Sequence, residues 1–422
     1  MADWRLKIGQ WWQQKALPFL TDKRTLLGLF LFVGFIASVT RPHSHNNFDI
    51  FCGVFHHVWN GLDLYAAYPE EYFDVNHYGP VFSLVIAPFA LLPTWMGLLC
   101  WNMVLALALY LAVRETAMDD RQHIFIVWFC AHELLTALFM QQFNVAIAAI
   151  ILMSYTFIER EKEPWAAFLI ILGTLVKLYG IVGIAFFFFS KHKGRFVGWL
   201  VVWSIILFVA PMLISSYSYI IDQYHGWYMS LIGKNDANQF SAMTNISLLG
   251  FIRKTGYVLT YGIQDIQAVM SETKAPNDCF WSRYSDLPII LTGMLMMAAS
   301  LFLRVKQWKN PAYRLSFLAS VMMFVCLFST GTESSGYITA LVGVAIWYTS
   351  APWKRSGWDI FIMVFAFILT SMSPSDLFPR YLRTEFVRPM ALKALPVIII
   401  WLQLIFEMLT RDYDANTAVR HN

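Results

Sequence analysis

Between residues 25 and 410 the chain is a succession of apolar runs, most of them near the ~20 residues a helix needs to cross a bilayer. They lie at about 25–40, 79–93, 95–113, 123–139, 144–158, 165–190, 196–214, 286–304, 313–329, 335–350, 357–372 and 394–410. Lipid offers backbone groups no hydrogen-bonding partner, so a spanning chain of this kind must be helical. The expected fold class is therefore all-α: a polytopic transmembrane protein of about twelve helices. Composition agrees, with 58% hydrophobic and only 14% charged residues and a mean hydropathy of +0.52. Soluble domains carry about 25% charged residues, and so few charges would leave large apolar patches facing water. A net charge of +4 over 422 residues gives no electrostatic footing for a nucleic-acid partner. Cys52, Cys100, Cys130, Cys279 and Cys326 are scattered, which suggests neither a disulfide framework nor a zinc site.

Residues 1–24 are polar, basic and rich in tryptophan, with no small-residue cleavage site. They read as a retained cytoplasmic tail, with 411–422 as a second tail. Short basic clusters mark cytoplasmic loops. From an inside start they fall at Lys191-His192-Lys193-Gly194-Arg195, at Arg304 to Lys309, and at Lys354-Arg355. Segments 41–78, 215–285 and 373–393 and the turn 329–335 are then external. With no repeat or linker, residues 1–422 read as a single integral membrane domain, embedded over about 25–410. Residues 49–60 are amphipathic, with Ile50, Val54, Phe55 and Val58 on one face. Such a segment lies in the interface plane, as a plain loop helix or as a roof over a site.

A few polar residues stand out. Asp49 is placed either to cap a helix or, partly desolvated at the interface, to act as a general base. Lys177 falls near the middle of the long run 165–190, where an isolated cation costs roughly 3 kcal/mol or more. It reads either as a structural pair with an acid on another helix or as a clamp on a lipid phosphate. Glu333 sits in a Gly/Ser/Thr turn, and Arg253 and Lys254 on the large loop, where solvated charge is the default. His43, His45, His56, His57 and His77 crowd the first external segment in no spacing that suits zinc, and no Asp-x-Asp accompanies Asp49. Contact of one or two of them with sugar or phosphate is the better reading. Gln142 and Asn144 fall on the cytoplasmic side in this threading, as polar contacts between helices.

The order of motifs carries further information. Phe48-Asp49 is followed by Gly61-Leu62-Asp63-Leu64-Tyr65, then Tyr78-Gly79-Pro80-Val81-Phe82 and Ala87-Pro88. Gln142-Phe143-Asn144, Lys177-Leu178-Tyr179 and Asn245-Ile246-Ser247 with Arg253 come after. Over roughly 45–350 this pattern resembles glycosyltransferase family 87, in the GT-C superfamily of polyprenyl-phosphate-sugar-dependent enzymes. Gly180 stands where the family usually has proline. The late external turn, Phe328 to Tyr337, lacks the family's proline and paired histidines, which makes Glu333 the candidate occupant of that position.

The resemblance implies a hexosyltransferase, with mannose as the family's usual sugar. It would use a polyprenyl-phosphate-linked donor and a glycolipid or glycan acceptor, in the lipid bilayer of a bacterial inner or plasma membrane. Transfer would be inverting and extracytoplasmic, with no metal and no cofactor beyond the lipid-linked donor. Asp49 would deprotonate the acceptor. Lys177, Arg253, Glu333, Asn245, His56, His57 and Tyr78 would hold the donor phosphate or sugar. The alternative is a transporter or lipid flippase, which tends to show paired halves that this chain lacks. A structural membrane subunit would leave Lys177 unexplained.

Overall fold

The computed structural model describes residues 11–40, 44–272 and 279–414. The outer parts of both tails and His43 lie outside them. Among the described residues every regular element is helical. Among these described residues four helices are long and apolar enough to cross a membrane: Thr94–Glu115, Asp120–Phe139, Lys193–Leu213 and Leu392–Thr410.

The first part of the chain shuttles between two ends of a helix bundle. Helix α1 (Lys23–Val39) leads to the amphipathic α2 (Asn46–Asn60), the short α3 (Phe82–Ala90) and the long α4 (Thr94–Glu115). Then follow α5 (Asp120–Phe139), α6 (Asn144–Glu159) and α7 (Glu163–Lys177), and a 3₁₀ segment, α8 (Tyr179–Phe189). Hydrogen bonds identify the ends. Tyr110 donates to the Lys23 carbonyl, Arg114 pairs with Asp120, Arg160 with Glu115, and Ser190 donates to Glu163. At the other end, Asn47 donates to the Met140 carbonyl and Gln141 to that of Ser44.

Two expected spans differ from this path. The run 79–93 does not cross the bundle. Its helix has nine residues, about 14 Å at 1.5 Å per residue, and it stops before Pro93, which caps α4 at the same end. The run 165–190 is two passes. The chain reverses at Leu178, whose φ of 49° is left-handed, and α8 returns along α7. Gly180 lies against Gly173, and a Cβ there would stand 2.5 Å from the Gly173 carbonyl carbon. Both arms are apolar, so hydropathy sees one long run. Lys177 is consequently at the tip of a hairpin, not in the middle of a span.

Beyond α8, helix α9 (Lys193–Val209) leads to α10 (Tyr217–Asn238) and α11 (Leu248–Tyr261). Around α11 a small separate core forms from Phe240, Tyr257, Ile266 and Val269. The chain then re-enters the bundle as α12 (Leu287–Phe302), α13 (Pro311–Leu327), α14 (Tyr337–Ser350), α15 (Gly357–Phe365) and α16 (Leu395–Thr410). The basic clusters at 191–195, 304–309 and 354–355 fall at the end marked by Lys23 and Arg114. Arg314 there pairs with Glu159 at 2.6 Å, and Arg355 with Glu407 at 2.9 Å.

Tight glycine contacts give this arrangement a clear test. Replacing Gly180 with valine forces α7 and α8 apart, and overpacking of this kind costs about 1–3 kcal/mol. The melting temperature of the purified protein in detergent is expected to fall for Gly180→Val. It should stay near wild type for Gly198→Val, where the added Cβ meets open space.

Candidate active site

The hairpin tip is built to face a polar cluster. Lys177 Nζ donates to Asn144 Oδ1 at 2.8 Å and to Gln142 Oε1 at 3.4 Å. The rings of Tyr78 and Tyr179 lie 5.4 and 5.5 Å from the ammonium, within cation–π range. Gln142 is held on every side. Its Oε1 also accepts from Asn144 Nδ2 (2.8 Å) and Ser335 Oγ (3.1 Å), while its Nε2 donates to Glu333 Oε2 at 2.5 Å. One amide thus links the ammonium to the carboxylate. The loop bearing Tyr78 reaches the tip because Gly79 donates its N–H to the Val176 carbonyl. A Cβ at Gly79 would stand 2.0 Å from the Leu175 carbonyl oxygen.

Gln142 and Asn144 are therefore not contacts at the opposite end of the bundle, as the threading from hydropathy implied. The extra pass at 79–93 put them there; in the structure they share the end with Lys177 and Glu333. They are the cluster's central residues. The signal for them was the Gln-x-Asn motif, which hydropathy overrode. Tyr179 links the tip onward, its hydroxyl 3.0 Å from Ser329 Oγ. Ser329 also lines a cavity of about 480 Å³ with Gln239, Arg253, Asp286, Leu287 and Ile290.

Asp49 lies in the first turn of α2, and His45 takes the cap position. The Asp49 carboxylate lies 2.7 Å from His45 Nδ1. Burial raises its pKa above the ordinary 3.8, and the bond to His45 and the imidazole's charge act in the opposite sense. Asn47, two residues earlier, donates to the carbonyl of Met140, so the turn carrying Gln142 is tied to the helix carrying Asp49.

The other sequence-predicted residues have separate settings. Arg253 is buried and not solvated, as a loop charge would be. It pairs with Asp286 at 2.9 Å and donates to the carbonyls of Tyr284 (2.9 Å) and Trp281. Lys254 is buried as well, donating to the carbonyls of Ser241, Thr244 and Asn245, and burial lowers its pKa to about 7. Asn245 is buried, with its Oδ1 accepting from Ser247 and its backbone N–H donating to the Thr330 carbonyl. These bonds seat the loop before α11 on the turn carrying Glu333. His57 is buried against Tyr68 and bonds Glu71 at 3.0 Å, and His56 is exposed. Neither touches the Lys177 cluster. His77, one residue from Tyr78, does lie beside it. Its Nδ1 is 2.7 Å from Ser230 Oγ, and burial, reinforced by Lys234, lowers its pKa to about 4, so it is neutral at pH 7.

A family model for glycosyltransferase family 87 matches residues 76–330, more than half of the chain. The matched region contains Tyr78, Gln142, Asn144, Lys177, Asn245 and Arg253; Asp49 precedes it and Glu333 follows it. The protein belongs to glycosyltransferase family 87. It is a membrane enzyme that transfers a sugar, not the transporter or flippase weighed above. No curated protein matches it.

The Asp49–His45 pair makes a prediction about titration. His45→Phe removes both influences that lower the Asp49 pKa and leaves the burial that raises it. The carboxyl band assigned by difference against Asp49→Asn in infrared spectra is therefore expected to titrate at higher pH in His45→Phe than in wild type.

Proposed function

We propose that this glycosyltransferase moves a hexose from a polyprenyl-phosphate donor to the hydroxyl of a glycolipid or glycan acceptor, at the extracytoplasmic face of a cell membrane. The observation that carries the reading is the hairpin tip. An ammonium there is oriented by amide oxygens and two aromatic faces, beside a carboxylate held through Gln142. A phosphate monoanion or dianion is the natural counter-ion for such a group, and a fixed cation stabilises charge that grows on a departing phosphate. Mannose is proposed as the sugar from the family resemblance alone.

In this mechanism the acceptor hydroxyl loses its proton to Asp49 as its oxygen bonds the anomeric carbon. The bond from that carbon to the phosphate oxygen breaks, and polyprenyl phosphate leaves with the electron pair. A single displacement inverts the anomeric configuration. Phosphate is a good leaving group, so one carboxylate base suffices without the acid partner that glycosidases need. Lys177 supplies the cation, and the proposed reaction requires no metal or cofactor. Tyr78 and Tyr179 wall the phosphate position, and Glu333 sets Gln142. Arg253, neutralised by Asp286, acts through the shape of the neighbouring cavity.

For topology, we propose that the basic end of the bundle is cytoplasmic, following the excess of lysine and arginine in its short loops. The amino terminus is then inside, about twelve helical segments cross the bilayer as one domain, and Lys177, Glu333 and Asp49 face the outside.

Transfer from labelled polyprenyl-phosphate mannose to a membrane lipid extract tests the assignment with purified protein. Lys177→Met is expected to lower kcat about 10²–10³-fold, the range for losing one preorganised electrostatic group. Asp49→Asn is expected to lose about 10²–10⁴-fold, the range for a general base, and to abolish the acid limb of the pH–rate profile. That limb should lie above 3.8 in wild type, because burial raises the pKa of Asp49. Full activity of either variant would refute its role.

A further inference from the structure

The turn carrying Glu333 is gripped from two opposite sides, and only one of them belongs to the site. Glu333 and Ser335 face the Gln142–Asn144 pair. Ser334, between them and first in a short 3₁₀ turn (Ser334–Gly336), faces the other way. There it meets Lys393, from the short helical turn before α16. Lys393 Nζ donates to the Ser334 carbonyl at 2.9 Å, to Ser334 Oγ at 2.8 Å, and to Glu133 Oε1 of α5 at 2.8 Å. An ammonium has three N–H donors, and these three acceptors match them. Lys393 is 3% exposed and Glu133 fully buried. The Tyr337 ring stands 5.1 Å from the ammonium, and Thr370 donates to the Lys393 carbonyl at 2.8 Å.

A buried ion pair is a poor way to gain stability, because well-packed apolar residues often do as well or better. Its use here is better explained by where it points. Lys393 holds both oxygens of the single residue that separates Glu333 from Ser335. Glu133 lies 260 positions away in sequence and keeps that ammonium in place. Neither residue touches Gln142, Asn144 or Lys177 in any bond described above, so any influence on the reaction passes through the turn.

We propose that Lys393, anchored by Glu133, is a positioning residue. It fixes the 333–335 turn so that Glu333 orients Gln142 against the Lys177 ammonium. The inference rests on the reading of the Lys177 cluster as the donor-phosphate site. Losing the grip lets the turn exchange conformers, and Gln142 then no longer presents Lys177 in one geometry.

The test uses the full chain with Lys393→Met and with the double change Glu133→Leu/Lys393→Met, which leaves no unpaired buried charge. Three measurements are made on each: thermal unfolding in detergent, backbone hydrogen exchange over residues 328–337, and transfer from labelled polyprenyl-phosphate mannose to a membrane lipid extract. The double variant is expected to unfold near the wild-type temperature, to exchange at least tenfold faster in that turn, and to lose at least tenfold in kcat with donor KM within twofold. Unchanged exchange in the turn would overturn the grip, whatever the activity. Faster exchange with unchanged kcat would overturn the role in the reaction. Wild-type protein that transfers no mannose would instead count against the donor reading, while the exchange arm still decides whether Lys393 holds the turn. If the double variant does not fold, Ser334→Ala, which removes the Oγ acceptor and keeps the Cβ, is expected to show the same faster exchange to a smaller degree, and wild-type exchange in it would overturn the proposal.

Discussion

The Lys177 ammonium is the constraint around which the rest of its end of the bundle is arranged. A charge on an apolar hairpin cannot be left facing hydrocarbon, and the chain meets this by bringing four separate segments to one point. The loop 76–80 supplies an aromatic face, the 140–144 turn supplies amide oxygens, the hairpin supplies the charge, and the 329–335 turn supplies the carboxylate behind the amide. Each needs its own local device: Gly79 for close approach, the left-handed Leu178 for reversal, and the backbone bonds from Asn245 and Ile246 to Thr330 and Thr332 to seat the last turn.

Partition of charge between the two ends follows the same logic. At the basic end, arginine and lysine meet glutamate and aspartate directly, as in Arg314–Glu159 and Lys191–Glu161. Such pairs neutralise each other and leave little field. At the opposite end Arg253–Asp286 and Lys393–Glu133 are direct pairs too, but the Lys177 charge is held by neutral amides and its carboxylate is set one residue back. That arrangement keeps a field available to an incoming anion.

Fold class, the amphipathic α2 and most helices of the bundle were legible in the sequence because hydrophobic periodicity and run length are local properties. Lys177, Tyr78 and Glu333, which the fold brings into one cluster, stood out in the sequence because costly charges and ordered motifs are conspicuous in an apolar background. The hairpin was not legible: both of its arms are apolar, and the signals for reversal are a single backbone conformation and two glycines in mutual contact. The buried setting of Arg253 and Lys254 was also hidden, since Asp286 and the accepting carbonyls reach them only through the fold. The pairing of His57 with Glu71 removes it from the Lys177 cluster for the same reason, because a histidine's partner is a tertiary fact.

The reversal at Leu178 also has a consequence for parity. Among the described residues, six passes between the ends of the bundle occur from α1 to α8. Hydropathy also counts six, by admitting 79–93 and treating 165–190 as one. An added pass and a missed pass cancel, so every loop after residue 190 falls on the same side under either threading. Agreement at those later loops therefore carries no information about how the half holding the Lys177 cluster is wound. Only positions between about 91 and 180 distinguish the two paths, and they include the turn that holds Gln142.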